Sequence, residues 1–336
     1  LGGIFMRVFI TGEKGFIARN LVERMRLFDD LEFVSGDPAI TPKVKAIFSD
    51  MVFHTSGEPC VHGNDLHEWK HFFWSNKIDV VIHNAATVGT DVVALDSQGS
   101  TLTNVAGTYN VCRAAKHLNI PVCYMGTTVI YDTKNYQDRQ IEEDSNRAPH
   151  TLYGCQKLCA EDIIKSQTSK WMIVRPLFAY GGVGDMNSLI AKTIYGALNK
   201  KEEIDMFLDP TKIKDYMHVN DYCDAVLTAI YQNMWYQDWN VAAETPFMTG
   251  EIVDMIQKVT SLDLENVIKW HPKTDYLGNH MLSSKKFRNV CGWSPQIDLE
   301  TGIRMSFESI MKSEGYNPLR YLEEAKKRNV DLTEFY

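Results

Sequence analysis

A short apolar run that breaks into a glycine-bearing turn, and at once into a helical pattern, constrains this chain more than any other feature. Residues 7–10 read RVFI, and TGEKGFIARNLVERM follows directly. An apolar run closed by a turn fits a strand buried in a parallel sheet, and Phe16, Ile17, Leu21, Val22 and Met25 then recur at helical spacing. Between strand and helix stand Gly12, Gly15 and Ala18, each three residues from the last. The first glycine allows a tight turn, and the second lets backbone approach a pyrophosphate. The small third residue lets helix sit close on strand, with the helix N-terminus facing the phosphates. The expected fold is therefore a Rossmann-type, doubly wound parallel α/β sheet, with a dinucleotide as ligand.

The next strand, LEFVS at 31–35, ends in Gly36 and Asp37. An acid there suits a ribose 2′-hydroxyl and repels a 2′-phosphate, which favours NAD over NADP; Lys43 is the nearest cation. IDVVIHNAA, 78–86, is a strand ending in small residues, and 102–118 reads as one helix with Asn104, Gly107 and Thr108 near its start. After Pro121, VCYMGTTVIYD is a buried strand ending in Thr127 and Thr128, at the edge where an open α/β sheet places its ligand crevice. Their alternative role is capping or turn formation. Residues 171–182, WMIVRPLFAYGG, read as a further strand, after which the alternation loosens into longer helices. A cofactor domain over 1–176 is expected, with return segments near 211–243, and a smaller, mostly helical substrate lobe over 177–336. WNVAAE at 239–244 reads as a late strand rejoining the main sheet, 249–259 as a helix, and the tail as helical and charged.

TLYGCQKLCAED, 151–162, puts the phenol of Tyr153 four residues ahead of the ammonium of Lys157, in a helix-compatible stretch. On one helix face a cation favours the phenolate and draws it towards the working range of a general acid/base. A surface tyrosine beside a solvated lysine is the competing reading of these two residues alone. His67, Glu68 and His71 spell H-E-x-x-H, the spacing of helical zinc sites. Leu66, Trp69, Phe72 and Phe73 make the segment an amphipathic crossover helix instead, and no third ligand follows, so no metal is expected.

The chain has 336 residues, 35 basic against 43 acidic, with a net charge of −8. That balance argues against a broad nucleic-acid surface. Seven scattered cysteines without a Cys-x-x-Cys pair read as reduced thiols. No run of about 18 apolar residues marks a membrane span, and LGGIF ahead of Met6 lacks a basic leader region. A cytoplasmic protein with a small-molecule substrate is the expectation.

These motifs, in order, resemble the extended short-chain dehydrogenase/reductase family, in its group of NAD-dependent nucleotide-sugar epimerases and dehydratases. The resemblance spans 7 to about 303: TGEKGFIA, Asp37, IHNAA, NVAGT, GTTVIYD, YGCQK, RPLFAYG and KDYMHVNDYCDA, with SSKKFRNVCGWSP as a looser match. It implies Thr127, Tyr153 and Lys157 as the catalytic set. For the cofactor it implies Gly12, Gly15, Phe16, Ile17, Ala18, Asp37, Asn64, Asp65, Ala85, Ala86 and Asn104, with Tyr153 and Lys157. Thr128, Asn187, Lys214 and Lys273 are the implied substrate contacts, a nucleotide-diphosphate sugar is the implied substrate, and a homodimer built on helices 102–118 and 151–168 is the implied assembly.

The departures narrow the chemistry. The dehydratases' Asp-Glu pair after the catalytic threonine is here Thr128 and Val129, and the positions used for decarboxylation and carbon-acid epimerisation are likewise unsuited. Redox at one carbinol remains, as in a 4-epimerase; the alternatives are a reductase or dehydrogenase of a sugar or other alcohol, and a cofactor-binding scaffold without activity. Lys214 stands where the family has an arginine, and Phe178 where it has an asparagine.

Overall fold

The computed structural model describes residues 6–34 and 63–312 apart from 138, 200, 202 and 276, and gives backbone alone for 63–68, 274 and 312. Two compact units divide the chain. One draws on Leu1–Ile130, Arg147–Arg175 and Val226–Trp239, the other on Tyr131–Asn146, Pro176–Ala225 and Asn240–Tyr336.

The chain begins β1 (Met6–Thr11), α1 (Phe16–Met25), β2 (Leu31–Val34), α2 (Gly63–Ser75) and β3 (Val80–His83). Short helices α3 (Thr90–Leu95) and α4 (Ser97–Thr101) lead into a π-helical turn, Leu102–Gly107, and then α5 (Thr108–His117). β4 (Val122–Met125), α6 (Leu152–Gln167) and β5 (Trp171–Pro176) follow. Then come β6 (Ala179–Tyr180), α7 (Leu189–Leu198), β7 (Ile204–Met206), β8 (Ile213–Lys214), β9 (Met217–His218), α8 (Val219–Tyr231) and β10 (Gln237–Val241). The remainder is β11 (Phe247–Met248), α9 (Thr249–Thr260), β12 (Ile268–Trp270), α10 (Lys285–Cys291) and α11 (Leu299–Lys312).

Six strands form the main sheet in the order β10-β5-β4-β3-β1-β2, with β1 to β5 pairing in parallel. The order reverses at β1, whose neighbours are β2 and β3, and a doubly wound sheet opens its ligand crevice beyond the carboxyl ends at such a point. β3 and β4 are buried along their whole length, as strands covered on both faces must be. Phe9 meets Trp69, Phe72 and Phe73 of α2 at ring-centroid distances of 5.0–5.9 Å. The aromatic side of the H-E-x-x-H segment thus packs as a crossover helix; the side chains of His67 and Glu68 lie outside the described residues. In the second unit α7, α9 and α11 pack on one another around Ile190, Ile194, Ile252, Ile256 and Ile303.

Two expectations need correction. Residues 171–182 are not one strand: β5 stops at Pro176, and β6 pairs with β9 in a separate two-stranded sheet. Phe178 between them has φ +28°, a backbone setting that a bulky side chain adopts only under constraint. The helix over 102–118 is likewise not uniform, its first six residues forming the π turn. Among the described residues no helix is long and apolar enough to cross a membrane.

Candidate active site

The glycine turn closes against the end of β3. Gly12 has φ +68°, and a Cβ there would stand 2.8 Å from the Cα of Ala85, so side-chain-free backbone is required on both counts. Gly15 caps α1 without a side chain, and no acid occupies the first turn. The amides of Phe16 and Ile17 therefore begin the helix uncapped, while Ala18 is fully buried beneath. This is a surface that anions favour, and it fits a dinucleotide pyrophosphate.

A hydrogen-bond chain ties this turn to α5 and α6. The amides of Asn84 and Ala85 donate to Thr11 Oγ1 at 3.1 and 3.0 Å. Thr11 Oγ1 lies 2.7 Å from His83 Nδ1, and His83 Nε2 lies 2.9 Å from Thr108 Oγ1. Thr108 spends its proton on the Asn104 carbonyl at 2.7 Å. Its hydroxyl must therefore accept from His83 Nε2–H, which leaves Nδ1 to accept from Thr11. Burial, with help from the Lys157 charge, pulls His83 down to about 3, so the ring is neutral at pH 7 as the chain requires.

Asn104 stands at the middle of this construction. Its Oδ1 accepts from Thr87 N at 2.7 Å, and its Nδ2 donates to Thr87 O at 3.0 Å and to Gln156 Oε1 at 2.8 Å. Gln156 in turn donates to Ser100 and Thr101 hydroxyls at 3.0 and 2.9 Å. The asparagine expected to touch the cofactor is thus engaged in fixing the 84–87 loop to α6, with Ala85 and Ala86, both half-buried, held inside that loop.

Helix α6 starts at a Thr151 cap whose hydroxyl accepts from Gly154 N at 3.1 Å, worth about 1 kcal/mol. Gly154 brings the helix onto the 3₁₀ turn Thr128–Ile130: a Cβ there would stand 2.6 Å from Val129 O. One turn on, the Lys157 Nζ donates to Met125 O at 2.7 Å and lies 4.2 Å from the Tyr124 ring centroid. The helix carrying Tyr153 and Lys157 is thereby bonded at 125 and packed closely at 129, on either side of Thr127. Tyr153 and Lys157 are both buried, Thr127 half-exposed, and Thr128 buried. Burial draws the lysine down to about 7, against the upward pull of Glu161.

The other expected residues are dispersed. In the second unit Lys214 Nζ donates to Asp275 Oδ1 at 2.9 Å and to Gly278 O at 2.5 Å, and both charged side chains are buried. Asn187 is exposed on the turn before α7, where Asp185 gathers the amides of Gly181 and Ser188 at 2.8 and 3.1 Å. Lys273 is exposed on the 3₁₀ turn Pro272–Thr274. Asp37 and the side chains of Asn64 and Asp65 lie outside the described residues. Thr11, His83, Gln156, Gly154 and Glu161 were not anticipated. Their signals were the motifs TGEKGFIA, IHNAA and YGCQK for the first four, and for Glu161 its place four residues beyond Lys157 on the same helix face.

Comparison with known proteins accords with this construction. The model of the NAD dependent epimerase/dehydratase family matches residues 8–242. Human dTDP-D-glucose 4,6-dehydratase is 23% identical over 326 residues, covering 91% of this chain and 90% of that protein. UDP-glucose 4-epimerase of Streptococcus mutans is 25% identical over 323 residues, covering 87% and 93% respectively. The solved structure of UDP-glucuronic acid 4-epimerase from Bacillus cereus, with UDP-glucuronic acid and NAD, superposes with a TM-score of 0.74 at 18% identity over 91% of this chain and 99% of that one. The glycine turn, the small-residue loop after β3 and the Tyr153–Lys157 helix all fall inside the matched stretch, and the chain belongs to the NAD dependent epimerase/dehydratase family, as an enzyme whose cofactor is NAD.

Proposed function

We propose that the chain interconverts epimers of a nucleotide-diphosphate sugar by hydride removal and return at one carbinol, C4 in the family's usual chemistry. The observation that carries this is the fastening of the Tyr153–Lys157 helix around Thr127, in a segment where Thr128 and Val129 supply no carboxylate. Loss of water requires an acid and a base of its own, so the resemblance to dehydratases does not extend to elimination. The Tyr153 phenolate takes the carbinol proton, Lys157 supports that phenolate, and Thr127 orients the oxygen. The glycine turn and the 84–87 loop would hold NAD, which would supply hydride acceptance and return. The first unit thus serves the cofactor, and the second, with Asn187, Lys214 and Lys273, the substrate.

Tyr153→Phe should lower turnover by about 10² to 10⁴, the usual worth of acid/base catalysis; unchanged turnover on a responsive sugar nucleotide would remove the mechanism. Net dehydrogenation or reduction of another alcohol or ketone is the second reading, favoured by the engagement of Lys214 with Asp275. Absorbance at the NADH band with added NAD separates the two, because only a dehydrogenase accumulates it. The enzyme is further read as a cytoplasmic homodimer, with its cysteines as thiols and α5 and α6 as the paired helices.

A further inference from the structure

Behind the fastened helix lies a buried charge cluster that the proposed chemistry does not use. Arg175 on β5 and Glu161 on α6 are both fully buried. Arg175 Nε donates to Glu161 Oε1 at 2.8 Å and its second terminal nitrogen to Oε2 at 2.7 Å, a bidentate grip. The same nitrogen reaches Asp238 Oδ2 at 2.6 Å, and Arg147 and Lys165 also pair with Asp238. Burial works against the Asp238 charge, yet Arg175 and its neighbours hold it down to about 2.

We infer that the Glu161–Arg175 pair is a positioning device: it seats the strand end that leads to Thr127, the same stretch whose backbone Lys157 holds. This rests on the catalytic reading of Tyr153, Lys157 and Thr127 above. Gly126, the residue before Thr127, lies directly on the pair; a Cβ there would stand 2.7 Å from Arg175 Cγ and 3.1 Å from Glu161 Oε1. Met125 on its other side accepts the Lys157 ammonium. One backbone stretch is therefore supported by the pair from below and bonded by the lysine.

Glu161 also acts on Lys157 by charge. The groups that bear on Lys157 are Glu161 on its own helix, Tyr124 on β4 and His83 on β3, with Tyr153 four residues ahead on the same helix. His83 is neutral, and burial keeps Tyr124 in its neutral form. Glu161 is the carboxylate that raises Lys157 against its own burial. A buried ion pair brings little net stability compared with apolar side chains of similar volume, so stability alone gives weak reason for one here.

Three variants test this against Tyr153→Phe as the reference. Glu161→Gln should lower kcat on the order of tenfold with KM little changed, and move the alkaline limb of the kcat profile, where Lys157 gives up its proton, to lower pH. The double variant Glu161→Leu with Arg175→Met removes both charges and should recover the thermal midpoint without recovering either kcat or the limb. Arg175→Lys keeps the charge and loses the bidentate grip, and should lower kcat with the limb in place. A readout free of turnover is the thermal midpoint of the isolated protein against pH. Its rise with pH should begin lower in Glu161→Gln than in the parent, because the folded lysine then gives up its proton sooner. If Tyr153→Phe is inactive while Glu161→Gln keeps the parental kcat and limb, or if the apolar pair restores both, the inference is overturned alone. Parental turnover in Tyr153→Phe would remove the catalytic reading and the inference with it.

Discussion

Gly12 shows how much of this site one backbone angle carries. At φ +68° an alanine is strained, and its Cβ would stand 2.8 Å from the Cα of Ala85, backbone that a local shift does not clear. Gly12→Ala should cost about 1–3 kcal/mol of stability and push the 84–87 loop off the turn, measured as a lower thermal midpoint and weaker NAD binding by calorimetry. Lys157 makes a second prediction. Burial draws it down to about 7 from the ordinary lysine value of 10.5, so the unfolded chain binds the extra proton between those limits. From this group, stability is lowest below about pH 7 and rises with pH up to about 10.5; Lys157→Met should flatten that part of the thermal-midpoint profile. Gly12 and Lys157 were legible in the sequence because each belongs to a local pattern, a turn or a helix face. The pairing of Thr11 with His83 was not: their hydrogen bond spans 72 positions, and the one from His83 to Thr108 spans 25. No periodicity encodes a polar pair brought together by sheet order.

Among the elements, β1 with its turn and α1, and the crossover α2, followed their hydrophobic periods and could be read directly; α6, whose buried face is largely polar, was read instead from helix-compatible residues around Tyr153 and Lys157. Two elements were read too simply, for reasons the fold supplies. The π turn at Leu102–Gly107 depends on Asn104 being drawn to Thr87 and Gln156, and so on contacts 17 and 52 positions away. The strand expected to run through 182 ends at β5, where Phe178 turns to stack on Tyr216 at 5.2 Å and to meet His280 at 5.4 Å. That aromatic contact lies within the second unit and overrides the β-propensity of the local sequence. Asn104→Ala would leave the Thr87 peptide and Gln156 without their buried partner, a loss of about 1–3 kcal/mol. It should weaken NAD binding more than substrate binding, because the freed segment is the 84–87 loop; equal losses in both affinities would show a general unfolding of α6 instead.

For the molecule as a whole, the dimer proposed above would rest on what α5 and α6 leave uncovered. The two helices pack side by side, and α6 exposes Leu152, Cys155, Cys159, Asp162 and Ser166, alternately three and four residues apart. That spacing would serve as the seam of the proposed pair, and its first member is a leucine 45% exposed. On α5 Tyr109 is 36% exposed. A pairing of two such faces across a two-fold axis is self-complementary and closes at a dimer. Light scattering should return twice the chain mass; the monomer mass would overturn the assembly. Each chain carries −8, so the copies repel at low ionic strength, and dimerisation should tighten as salt rises from about 0.01 to 0.15 M and the Debye length falls from about 30 to 8 Å. In the proposed dimer Leu152→Arg would set two like charges against each other and should yield monomers. In that variant Cys155 and Cys159 should react with a thiol reagent at a rate independent of protein concentration, whereas in the parent the rate should fall as the protein is concentrated. A parent rate that ignores concentration would place the dimer seam elsewhere.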